Sequence, residues 1–140
     1  MAALLLAALV ALGGCAGKSQ PPRQKIARAL QEMSWEVARQ VGDPERAARL
    51  QQAIDGLDAD LNELQGVSET LRSRLRALNA NPDATRADFA TLLDGFDADR
   101  RRLRDRVLQR HFEFLAATSA NEWAALSGHE RDALAAVTLR

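Results

Sequence analysis

The sequence predicts an all-α protein, a long antiparallel helical hairpin of coiled-coil type with an N-terminal helix and short C-terminal helices that complete a small bundle. Three observations predict it. Apolar residues recur at spacings of four and three in Leu50, Ile54, Leu57, Leu61, Leu64, Leu71, Leu75 and Leu78, with Ser68 the one break, and this is a coiled-coil seam. Apolar residues form 46% of the 140-residue chain, supplied mostly by Ala and Leu, and 27% is charged, a composition that favours long helices. Finally, the turn and capping residues fall between the periodic segments rather than inside them.

The chain opens on an apolar run of Ala, Leu and Val from Ala2 to Leu12, too short to cross a bilayer core of about 30 Å as a helix and suited to the h-region of a signal peptide. Leu12-Gly13-Gly14-Cys15 follows, and this stretch resembles the lipobox of bacterial lipoproteins. The resemblance implies a signal peptide over residues 1–14, cleavage before Cys15 and diacylglycerol on its thiol. Two or three acyl chains, at about 0.8 kcal/mol per buried CH₂, anchor a protein stably. Ala16 stands after the cysteine where inner-membrane retention in many Gram-negative lipoproteins uses Asp, so the resemblance favours the outer membrane, facing the periplasm. No Lys or Arg precedes the run, a departure accounted for if translation starts upstream of Met1.

Residues 15–22 read as the lipidated cysteine and a small, polar, Pro-containing tether, which spans at most about 25 Å. Residues 23–140 read as the helical domain, one domain by its size. The spacing of Ile26, Leu30, Met33, Val37 and Val41 predicts a first helix over Arg23–Val41. Gly42 ends it, and Asp43-Pro44-Glu45 supplies an N-cap, an N1 proline and an acidic first turn for the second helix. That helix runs to about Leu78, roughly 50 Å at 1.5 Å per residue. Asn79 to Asp83 makes the turn, and a third helix follows to about Ala117 with Phe89, Leu92, Phe96, Leu103, Val107 and Phe114 facing inward.

A turn centred near Asn81 sets residue i opposite roughly 162 − i. Asp55, Asp58, Asp60 and Glu63 then meet the arginines of 100–110, while Arg72, Arg74 and Arg76 meet Asp88. Ser119-x-x-Glu122 and Ser127-x-x-Glu130 each match a capping box and predict two short tail helices, packed on the first helix or on Phe112 and Phe114. The first helix covers only the opening half of the second. The expected interaction seam is therefore Leu64, Leu71, Leu75, Leu78, Phe89, Leu92 and Phe96, paired across two helices alone and suited to a second copy or an envelope protein partner. Gly66 and Gly95, nearly opposite each other, allow close approach or bending there, or are merely tolerated.

Lys plus Arg equals Asp plus Glu at 19 each, so no overall field attracts nucleic acid, and Asp99 and Asp105 interrupt the arginine run from Arg100 to Arg110. One cysteine excludes an internal disulfide framework. Two histidines, His111 and His129, lack metal-ligand spacing, and no cofactor, metal site or catalytic set is expected. These features point away from an enzyme and toward a structural or adaptor role through protein contacts. Leu126-Ser127-Gly128-His129-Glu130-Arg131 is similar to the Leu-Thr-x-x-Gln-Arg motif of the Spy/CpxP periplasmic stress proteins and related heavy-metal-resistance proteins. That resemblance implies a small secreted helical hairpin that shields unfolded clients or senses envelope stress or metals.

Overall fold

The computed structural model describes residues 21–138, so Cys15 and the lipobox residues Leu12, Gly13 and Gly14 lie outside the described residues. Four helices follow one another: α1 (Pro22–Gln40), α2 (Pro44–Ala80), α3 (Arg86–Ala117) and α4 (Ala120–Thr138). All-α architecture is thus what the sequence predicts and what the fold has. None of these helices is long and apolar enough to cross a membrane.

Their starts follow from local chemistry. The Asp43 carboxylate accepts hydrogen bonds from the Glu45 and Arg46 amides at 2.9 and 3.2 Å, and Pro44 occupies the first helical turn, where its missing N–H costs nothing. Thr85 and Asp88 form a reciprocal capping box at the head of α3. Ser119 and Glu122 do the same for α4, the Ser119 amide donating to Glu122 at 2.7 Å. The second capping box predicted for the tail is not used. Ser127 and Gly128 sit inside a continuous α4, and no glycine among the described residues has the positive φ that would break the helix.

The helices pack as two antiparallel pairs, α2 with α3 and α1 with α4, with α1 also lying along α2. The core fills the space between the pairs. Ile26, Leu30, Met33 and Val37 of α1 meet Leu50, Ile54, Leu57 and Leu61 of α2, with Phe114 and Leu126 closing it from α3 and α4. The tail therefore packs on α1 as one of the two expectations had it, and on Phe114, which is fully buried. Phe112 is 64% exposed and takes no part. Glu122 adds a tie at the closed end, accepting from both Nη atoms of Arg46 at 2.8 and 2.9 Å.

Length decides the rest. At 1.5 Å per residue, the 37 residues of α2 span about 55 Å and the 32 of α3 about 48 Å, whereas the 19 residues each of α1 and α4 span about 28 Å. Pro22 and Val137 accordingly meet α2 near Gln65, Ser68 and Glu69, and beyond that level only α2 and α3 continue among the described residues. Among the described residues, four helices make the base and two make the tip.

Candidate functional site

The outer face of the α2–α3 hairpin is one long furrow whose two halves are filled differently. In the base half, arginines of α3 reach across to α2. The Arg110 guanidinium lies over Gly56, where a Cβ would come 2.6 Å from its Nε. Arg106 pairs with Asp60, which is 3% exposed, and donates to Glu63 at 2.5 Å, while Arg102 donates to Glu63 at 2.9 Å. Asp60 Oδ2 and the Nε atoms of Arg106 and Arg110 make no hydrogen bond, so charge proximity holds this buried part of the network more than directed bonds do.

These contacts correct the expected register. Glu63 lies level with residues 102–106 and Asp60 with 106–110, about five residues further along α3 than a turn at Asn81 gives. The cause is local: α2 continues to Ala80, and Asn81 through Thr85 form the connection, so the turn centres near Asp83. Two expected partners are otherwise engaged, Asp55 accepting from Gln51 and Asp58 from Asn62. At the other end Asp88 serves the Thr85 cap rather than Arg72, Arg74 or Arg76, which have no ion-pair partner among the described residues.

In the tip half no arginine crosses. The α3 positions that continue the stripe toward the turn are Asp99, Gly95, Leu92 and Thr91, and the furrow stays open as a groove of about 880 Å³. Its walls are Val67, Leu71 and Leu78 from α2 and Leu92 and Phe96 from α3, with Thr70, Arg74, Asp88 and Thr91 as polar members. A Cβ added at Gly66 or Gly95 would meet nothing within 4 Å, so neither glycine serves a close helix approach. They widen the groove instead. All seven residues of the predicted seam are half-buried; Leu71, Leu78, Leu92 and Phe96 line the groove, and Leu64, Leu75 and Phe89 do not.

The histidines are spent on helix ties. His111 Nδ1 lies 3.0 Å from the buried Glu130 carboxylate and its ring meets Trp123 edge-on, while His129 Nδ1 is 3.5 Å from Glu32. They do not converge, and among the described residues no group of three or more His, Cys, Asp or Glu is placed to hold a metal. A second apolar stripe escaped the sequence reading. Leu108, Phe112 and Leu115, at spacings of four and three on α3, are 40–64% exposed. The pattern was visible, but nothing in it told an outward stripe from an inward one.

Four carboxylates carry an acid dependence. Asp43 is held below its usual value by the Arg46 amide, Glu63 by hydrogen bonds from Arg102 and then Arg106, and Asp88 by the Thr85 amide and hydroxyl. Glu122 is held down by the Ser119 amide and hydroxyl, with Arg46 adding to it. Folding lowers each, so the unfolded chain binds more protons and the stabilisation, full above the ordinary values of 3.8 and 4.5, is lost as pH falls through the folded values. Urea midpoints are expected to drop progressively below about pH 4.5, more shallowly for Glu63→Gln or Glu122→Gln. A midpoint unchanged down to about pH 3 would contradict this. Comparison of the chain with protein-family models, curated proteins and solved structures returns no match.

Proposed function

We propose that this chain is a lipid-anchored protein of the cell envelope, facing the periplasm, that works by holding another protein chain against the open face of its hairpin tip rather than by catalysis. The observation that carries this reading is the apolar groove left where α1 and α4 end and α2 and α3 continue. A furrow walled by leucine, valine and phenylalanine loses free energy to water at roughly 25 cal/mol per Å² of apolar surface, and a partner's apolar side chains recover it. Arg74 and Asp88 on the same groove give a partner polar points that fix its position. The lipobox at Leu12-Gly13-Gly14-Cys15 supplies the anchor, and Ala16 after it favours the outer membrane.

The anchor is tested by growing cells on an alkyne fatty acid. The protein is expected to take up label and sediment with membranes, and Cys15→Ser is expected to lose both; an unlabelled, membrane-free wild type would overturn that half. A second reading, a periplasmic chaperone or stress sensor, is favoured by the additional exposed stripe Leu108, Phe112 and Leu115, since several apolar patches suit varied clients. It requires suppression of client aggregation at equimolar protein. Absence of that activity leaves the adaptor role.

A further inference from the structure

Resting on the reading of the tip groove as a protein-binding surface, we infer that its occupant is a second copy of this chain, packed groove to groove with the two hairpins parallel and the twofold axis along them. Among the described residues the groove is lined by α2, α3 and Asn81 of their connection, while the ends of α1 and α4 lie against a different α2 stripe, Gln65, Ser68, Glu69 and Arg72. A copy can therefore approach this face without meeting the short helices. Two such tips together make four helices, the arrangement that already buries the base.

Charge selects the direction. On the groove face of the tip, α2 carries Arg74, and α3 carries Asp88 and Asp99, the latter also paired with Arg102. A twofold axis along the hairpin places α2 of one copy on α3 of the other, basic against acidic, at matching heights. A twofold axis across the hairpin places α2 on α2 and α3 on α3, like charge on like. Arg74, which lies on the groove without an ion-pair partner among the described residues, faces the acidic helix of the second copy only in the first arrangement.

The chain's exit agrees. Because α1 runs antiparallel to α2, Pro22 stands at the end of α1 nearer the tip, with Arg23 3.5 Å from Glu69. From Glu69 back to Pro44 is about 38 Å of helix, and a tether of at most about 25 Å from Cys15 cannot pass the closed end. Parallel copies direct both tethers toward one membrane, and antiparallel copies direct them apart.

Gly66 and Gly95 provide a test that spares the fold, since a Cβ there meets nothing within 4 Å and leucine is a better helix former than glycine. The full chain, purified in mild detergent, is expected to sediment as two copies. The double variant Gly66→Leu, Gly95→Leu fills the groove from inside and is expected to sediment as one, with a melting temperature equal to or above that of the wild type. For direction, Ala77→Cys chains are mixed with Thr91→Cys chains under oxidation. An interchain disulfide joining 77 to 91 is expected from the mixture, and none joining 77 to 77. A wild type that sediments as one copy, alone or with a different protein, overturns the inference, as does a filled-groove variant that stays paired. A 77–77 disulfide, or no interchain disulfide from the mixture, also overturns it. A lipid-labelled single copy removes the second copy and leaves the anchor; an unlabelled pair does the reverse.

Discussion

Phe114→Ala is expected to lower unfolding free energy by about 3–5 kcal/mol, a large part of the total that a domain of this size has. Phe114 is fully buried, and it is the aromatic residue of α3 that reaches the core shared by α1, α2 and α4. Truncation leaves a void at the meeting point of four helices, where each neighbour is pinned by others and little can collapse into the gap. Phe112→Ala is the built-in control. Two residues away and 64% exposed, Phe112 should change stability by no more than about 0.5 kcal/mol. Urea denaturation of both variants checks the pair, and equal losses would mean that α3 is rotated from the orientation described.

Replacing Leu71 and Leu75 together by Asp is expected to melt the tip while the base stays folded. Each leucine is half-buried between α2 and α3, so each contributes less than the 1.5–3 kcal/mol or so of a fully buried side chain, and each new carboxylate in the seam adds a desolvation cost. Together these reach about 3 kcal/mol or more, set against a segment in which the described residues of one chain place no third helix beside the pair. The base keeps its own core of Ile26, Met33, Leu57 and Phe114 and does not need the tip. Far-UV dichroism should lose helix corresponding to the outer turns of α2 and α3, and amide exchange should accelerate between residues 66 and 98 but not at Leu50–Leu61. An unchanged spectrum and melting temperature would refute the seam.

Most of the fold was legible because its signals are local. Asp43-Pro44-Glu45 and Ser119-x-x-Glu122 specify helix starts through hydrogen bonds within one turn, and both are made. The leucine spacing of α2 carries its own period, and the mismatch of 19 against 37 residues already implied an uncovered tip. Misreadings came where tertiary contacts compete with local ones. Ser127-x-x-Glu130 has the pattern of a cap, but Glu130 bonds His111 from inside a continuous helix. Asn79 and Ala80 look like turn residues, yet α2 holds its hydrogen bonds through Ala80 and the register moves with it. The groove was the least legible feature. Its closed half depends on Arg110 lying over Gly56 and its open half on nothing lying over Gly66 and Gly95, and three glycines in a sequence do not tell these cases apart.

The central claim is that the tip groove, not the base, is the surface through which this protein works. It is tested most directly by placing a photoreactive amino acid at Thr91 on the groove and, separately, at Ala48, exposed on the base half of α2, and irradiating intact cells. An adduct with a protein chain in the membrane fraction from position 91, and none from position 48, is the predicted result. Adducts from position 48 with none from position 91 would contradict it.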